Sequence, residues 1–479
     1  IGGLVFTILI ARLLLPELFG VYTLVSSIAA IAIVFSDFGL NLACLKYLSN
    51  SLKKKDEANS RSYFRFFFKL KIFSTFVIIL LILILSKIIS LNFFNKPLVF
   101  LPLIFSSFYI LTDSLRAYIR IPFVARKQLE IFPPLELIHQ FLKISLSLLA
   151  LLILSDSLKV SGIFISMSIA GFLFLFLESF FLIKKDKKIL FGKVNKINIM
   201  GSLKYTFFIG LTGLTLIFFG SVDTLMLGRF VKEEYIGFYR AALGLIISIT
   251  SLINFSGLFL PVFTQLNKQR LRNGFELISK YLLLISLPIS TISILLSKYI
   301  ILIIYGVEYL NATPLLLVLS FLIVLSPLIG VYIDLFQAKE KITILAKFVF
   351  ISLIINIFFN YLLIKHFLTF SQQYATMGAG IATLMSQFFL LGVLYKRAKK
   401  RLEISIRKVS ILKPLFSTGI MALFLIFFKS YVKINLFSGI LMILLGGVIY
   451  ISLMFLTKGL TREDIFRIKL VFQKKYVEK

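Results

Sequence analysis

The chain has one cysteine, two histidines and no tryptophan, and its 21 acidic residues stand against 53 lysines and arginines. Each scarcity excludes something. Cys44 alone makes no intrachain disulfide and no cysteine metal site, and His139 and His366 are far apart in sequence, so neither a metal nor a cofactor is expected. No GxxxxGK[ST] loop is present, which argues against ATP hydrolysis, and neither HExxH nor GxSxG occurs. Without tryptophan, interfacial anchoring falls to flanking lysines and to Tyr47, Tyr63, Tyr299, Tyr305 and Tyr395, all at expected membrane edges.

What the chain has instead is apolar surface. Hydrophobic residues make up 59% of its 479 positions, 53 of them Phe, against about 45–50% in an ordinary soluble chain. Lipid can solvate that excess and water cannot. The net charge of +32 invites a nucleic-acid reading, but the charges sit in short clusters between apolar runs, with no basic domain to lie along a duplex. No nucleic-acid partner is expected.

Apolar runs fall near 1–15, 21–43, 70–92, 97–119, 133–155, 160–183, 202–227, 236–262, 280–304, 312–336, 343–365, 375–395, 411–431 and 435–456. The fold expected is an all-α polytopic membrane protein of about fourteen transmembrane helices. The first run is shorter than a ~30 Å hydrocarbon core requires, so a clipped first helix is expected, and no signal-peptide pattern is seen. Alternate linkers differ sharply in charge. One set, with the C-terminal tail, carries 41 Lys and Arg and the other carries 10. By the positive-inside rule both termini are cytoplasmic and the helix number is even.

An internal repeat refines this. Arg12 to Tyr22 aligns without a gap on Arg229 to Tyr239, at an offset of 217, with Arg, Glu, Gly and Tyr coinciding. Each segment joins a first helix to a second. Ala125-Arg126-Lys127-Gln128-Leu129 is echoed more weakly by Ala338-Lys339-Glu340-Lys341-Ile342. Two six-helix halves related by repetition are a transporter signature. The expected organisation is an N-lobe over 1–183, a linker over 184–201, a C-lobe over 202–395, a second linker over 396–410, two further helices over 411–456 and a basic tail over 457–479.

Several stretches resemble Wzx-type polysaccharide flippases: Ile10 to Leu14 with Phe19-Gly20-Val21-Tyr22, Ser36-Asp37-Phe38-Gly39-Leu40, Val222 to Gly228 with Ile236 to Tyr239, Leu260-Pro261, Asn356 with Asn360, and Gly459 to Asp464. That family belongs to the multidrug/oligosaccharidyl-lipid/polysaccharide (MOP, MATE-like) superfamily. The resemblance implies two six-helix bundles around a cationic cavity, alternating access, and export of a lipid-linked oligosaccharide across the cytoplasmic membrane. The partners it implies are membrane lipid, that substrate, a coupling H⁺ or Na⁺, and glycan-assembly proteins.

Ionisable residues inside spans cost at least about 2.5–3.5 kcal/mol each near the bilayer centre and default to functional candidates. Arg240 and Lys143 are the candidates for a pyrophosphate, with Arg12, Arg229 and Arg116 nearer the edges; the bland alternative pairs Arg240 with Asp223 and Lys143 with Asp113. Asp223 leads the candidates for ion coupling or gating, with Asp37, Asp113 and Asp334, the last following an expected kink at Pro327. Asn356 and Asn360 share a helix face and suit either a sugar or interhelical packing. His139 reads as a packed or hydrogen-bonded histidine rather than a proton relay. Two other functions remain open: an ion-coupled multidrug exporter of the same superfamily, and a membrane polymerase or glycosyltransferase. The latter would need catalytic residues on a substantial loop, and the chain is not expected to be an enzyme.

Overall fold

A computed structural model describes residues 2–254, 257, 259–432, 435–461 and 464. Every regular element among them is helical. The chain runs through α1 (Gly2–Asp37), α2 (Leu40–Lys53), α3 (Glu57–Lys87), α4 (Phe100–Ile119), α5 (Ile121–Ala125), α6 (Phe132–Ile153), α7 (Asp156–Leu190), α8 (Ile199–Phe230) and α9 (Glu233–Ile253). It continues through α10 (Leu260–Gln265), α11 (Lys268–Leu295), α12 (Ser297–Ile304), α13 (Thr313–Leu319), α14 (Leu322–Ala338), α15 (Ile342–Leu368), α16 (Gln372–Leu402), α17 (Lys408–Tyr431) and α18 (Leu436–Leu456).

Among the described residues, eleven helical runs are long and apolar enough to cross a bilayer, or up to 13 if two bent pairs each count as one span. The expected fourteen is not reached on this count. Gly2–Lys53 is taken there as one run of 52 residues, although at 1.5 Å per residue it is more than twice as long as a ~30 Å core requires. It holds both of the first two expected spans, divided only at Leu15 (φ 60°, ψ 171°). The cause of that break is Pro16, which has no N–H to donate and pushes the residue before it out of the helical region. The kink expected at Pro327 is also displaced. The 44° bend lies between Val307–Leu319 and Leu322–Ala338, so it precedes the proline.

The described chain divides into two compact units, residues 1–240 with 357–379 and residues 241–356 with 380–479. In the first, Leu40, Ala43, Cys44 and Leu48 of α2 bury against Phe64 and Phe67 of α3 and Tyr118 of α4. The single cysteine is a packing residue here, with its Sγ 3.3 Å from the Tyr118 hydroxyl, which itself donates to the Phe64 carbonyl at 2.6 Å. In the second unit, Met421 and Leu425 of α17 and Met442, Tyr450 and Met454 of α18 pack with Leu296. The Tyr450 hydroxyl donates to the Leu284 carbonyl of α11 at 2.9 Å. The last two long helices are thereby fixed to α11. Their other faces leave Leu423, Phe427, Phe437, Leu444 and Val448 exposed, as a lipid-facing surface requires. Of the five edge tyrosines, Tyr47 and Tyr63 stack at 4.9 Å, whereas Tyr305 is buried in protein and donates to the Ala241 carbonyl.

The repeat has a structural counterpart. A Cβ on Gly20 would lie 1.8 Å from the carbonyl oxygen of Glu233, and a Cβ on Gly237 would lie 2.1 Å from that of Pro16. Gly237 is the repeat equivalent of Gly20, and Glu233 that of Pro16, so the duplicated turns pack on each other reciprocally. The weaker echo is also one turn used twice. Lys127 (φ 60°) and its counterpart Glu340 (φ 55°) both adopt left-handed backbone. After them, Gln128 N bonds Phe123 O at 2.9 Å and Lys341 N bonds Phe336 O at 2.9 Å, at corresponding positions. Both are Schellman-type helix ends, built without the usual glycine.

Candidate functional site

Charged side chains converge in the first unit on a cavity of about 190 Å³ lined by α4, α6 and α7. Its composition follows from helix periodicity. On α4, Asp113, Arg116 and Arg120 fall on one face, and on α6 Glu136, His139, Gln140 and Lys143 do the same. The α7 helix lines it with Met167 and Gly171 and comes close because Gly171 has no side chain: a Cβ there would sit 2.4 Å from the Thr112 hydroxyl oxygen. Beside the cavity, α7 also carries Glu178, 2% exposed.

Glu178 is the hub. Its Oε1 accepts from Arg116 at 3.1 Å and from Arg120 Nη2 at 2.6 Å. Arg120 also reaches Glu136 at 3.0 Å, and Arg116 Nη1 lies 2.9 Å from His139 Nε2. His139 is thus hydrogen-bonded at the edge of this network. Two residues stand outside the pairing. Among the described residues, neither Asp113 nor Lys143 forms an ion pair, although both line the cavity; the Lys143 ammonium rests over the Phe6 ring at 4.3 Å. The suggested Lys143–Asp113 bridge is therefore not formed. Arg116 Nε, Gln140 Oε1 and Glu178 Oε2 are buried without a hydrogen-bond partner among the described residues. Unpaired polar atoms around a void mark a place for water or a polar ligand.

A second constellation lies in the same unit. Asp223 of α8 is 5% exposed; its Oδ2 accepts from the Tyr239 hydroxyl at 2.6 Å and its Oδ1 from Asn360 Nδ2 at 2.7 Å. Arg240 is adjacent to Tyr239, and its electrostatic neighbours are Tyr239, Tyr22 and Asp223. No ion pair joins it to Asp223 among the described residues. The carboxylate accepts from two neutral donors, and the guanidinium lies within its electrostatic reach without a bridge to it.

The other candidates have structural duties. Asp37 accepts from the Lys71 ammonium at 2.9 Å, and that lysine side chain is 1% exposed. Asp334 grips the backbone N–H of Gly257 with both oxygens, at 3.0 and 2.8 Å, where Gly257 has φ 90°. Asn356 bridges to Thr383 and Ser386 of α16, at 3.3 and 3.5 Å. Arg229 donates to the carbonyls of Asn92 and Phe93, and Arg12 is exposed. Four network members, Lys71, Arg120, Glu136 and Glu178, had no assigned role in the sequence reading. Glu178 was legible, being the one charge in the 160–183 run. Among the described residues no group of three or more His, Cys, Asp or Glu side chains is placed to hold a metal ion.

Helical spans, paired repeat turns and polar clusters buried between spans define the class: a multi-pass membrane protein with the fold of the MOP-superfamily transporters. Solved structures agree. A lipid II flippase MurJ in an inward closed conformation matches with a TM-score of 0.75 at 16% identity, over 98% of this chain and 97% of that one. An inward-facing multidrug resistance MATE family transporter of the MOP superfamily matches at 0.64 and 13% identity, over 84% and 94%. The bent form of the Vibrio cholerae MATE transporter VcmN matches at 0.53 and 14%, over 85% and 99%. No curated protein matches. The family model described as polysaccharide biosynthesis protein matches residues 9–314, and the chain belongs to that family.

Proposed function

We propose that this protein is a flippase that moves a polyprenyl-(pyro)phosphate-linked oligosaccharide across the cytoplasmic membrane by alternating access, for surface polysaccharide or glycan synthesis. The observation that carries the reading is Arg240, a cation inside a membrane helix with no ion pair among the described residues. An intramembrane cation is costly when alone, and a guanidinium is the side chain best shaped to take phosphate oxygens in a bidentate fork. Lys143, likewise unpaired, adds a second positive charge. Two lobes, 1–183 and 202–395, would rock about the site. Asp223, held by Tyr239 and Asn360, is the carboxylate we assign to a coupling ion. Multidrug export is the weaker reading, because a cationic drug would meet like charge at Arg240 and Lys143.

A reconstituted flipping assay with a polyprenyl-linked sugar tests both assignments. Arg240→Gln should reduce transport at least tenfold with normal membrane insertion, and wild-type flipping by that variant removes its role. Asp223→Asn should make the rate indifferent to imposed H⁺ and Na⁺ gradients; a retained gradient response takes the coupling role from Asp223.

A further inference from the structure

A second cavity, of about 540 Å³, lies in the second unit between α11, the start of α17 and the segment that follows α18. Its wall is dominated by Lys280, Arg407, Lys413 and Lys458. Two of these are neutralised within the protein. Lys280 is bonded to Asp464 at 2.7 Å, and Arg407 to Glu276 at 3.0 Å. The other two are not. Lys413 Nζ donates to the Lys458 carbonyl at 3.0 Å, and among the described residues neither ammonium forms an ion pair. Two positive charges therefore border a void with no carboxylate assigned to them.

The position of the void narrows the chemistry. The four cations come from linkers on one face of the membrane, the basic set of the alternating pattern. From Val409, which lines the cavity, Leu412 and Phe416 continue an exposed apolar stripe along α17, and Leu456 is exposed at the end of α18. A ligand that fills the cavity thus meets paired ammonium groups at one end and a lipid-facing hydrocarbon surface at the other. An anionic phosphate head joined to acyl chains has that division of chemistry.

We propose that this cavity is a binding site for the phosphate headgroup of an anionic phospholipid, with Lys413 and Lys458 as its cationic contacts and the Val409–Phe416 stripe carrying an acyl chain. The site is separate from the Arg240 and Lys143 clusters and does not depend on what is transported. The test uses the full chain in detergent and titrates phosphatidylglycerol, phosphatidylcholine and inorganic phosphate, each read as lipid retained or displaced by native mass spectrometry. Wild type should prefer phosphatidylglycerol to phosphatidylcholine. Lys413→Gln with Lys458→Gln should weaken phosphatidylglycerol about 30-fold, from the usual contribution of two basic residues near an anionic surface. Lys184→Gln with Lys185→Gln, on exposed residues of α7, makes the same charge change elsewhere and should leave binding within twofold. Equal retention of the two lipids, undiminished binding by the first variant, or an equal loss in the control overturns the proposal. Displacement by inorganic phosphate as effectively as by phosphatidylglycerol would assign the cavity to a soluble anion and overturn it too.

Discussion

Gly20→Ala tests whether the duplicated turns meet as closely as the geometry says. The added Cβ would stand 1.8 Å from the Glu233 carbonyl oxygen and 2.6 Å from its carbon. Both are backbone atoms, so no rotamer change relieves the clash, and α1 and α9 must part by roughly 1.5 Å to restore ordinary contact. Overpacking of this kind costs about 1–3 kcal/mol, while replacing a helical glycine by alanine returns about 1 kcal/mol. Because both opposing atoms are backbone, the cost falls in the upper part of that range, and the net loss is up to about 2 kcal/mol. Gly237→Ala should cost a similar amount against the Pro16 carbonyl. The two changes open one gap, so the double variant should fall short of the summed losses by at least about 0.5 kcal/mol. Denaturant melts in detergent measure this, with Gly392→Ala as the control, since nothing lies within 4 Å of a Cβ there. Wild-type stability in Gly20→Ala, or strictly additive losses, would refute a reciprocal contact.

Two further perturbations probe the charge network. Asp37→Asn leaves the Lys71 ammonium, 1% exposed, without its partner and should cost about 3–5 kcal/mol; Asp37→Asn with Lys71→Met should recover most of the loss in the same melts, and failure to recover would mean the pair is not the cause. Burial opposes the charge of Asp464, but the bonds from Lys280, the Thr461 backbone and Tyr281 outweigh it and hold the carboxyl below the usual range. A depressed native pKa gives stability that is present above the unfolded value, near 4, and is lost as pH falls. Proteolysis near Lys458 should accordingly accelerate below about pH 4, and Asp464→Asn should cleave quickly at all pH; an acid-insensitive wild type would contradict the assignment.

Much of the fold is legible because lipid imposes simple rules: a span must be apolar and long, and charge must alternate between faces. The repeat was legible because Arg, Glu, Gly and Tyr recur without a gap. That its turns touch each other was not, since contact depends on the path of both helices. The site was read more thinly. Asp37 is visible as a charge in a span, but Lys71, at the very edge of the 70–92 run, reads with the basic linker because its partner lies on another helix. His139 reads from sequence as packed or hydrogen-bonded, and it is hydrogen-bonded, but the carboxylate that organises its surroundings, Glu178, lies on another helix and 39 positions away. Pairing across helices is a property of packing, and a sequence lists only the partners.

The division of partners also bears on the cargo. Inside the spans, Glu178 is bonded to two arginines, Asp37 to Lys71, Asp223 to Tyr239 and Asn360, and Asp334 to a backbone N–H. Each of these acids is committed to a donor within its own unit. Among the described residues no ion pair joins Arg240 or Lys143 to an acid, although Asp223 lies within electrostatic reach of the first and Glu136 and Asp113 of the second. Each unpaired intramembrane charge costs at least about 2.5–3.5 kcal/mol near the bilayer centre, so a fold that keeps two of them positive carries a standing cost that packing alone does not require. A bound anion removes that cost and a cation increases it. The sign of the unspent charge, more than the resemblance of the fold, is what argues for a phosphate-bearing substrate over a cationic drug.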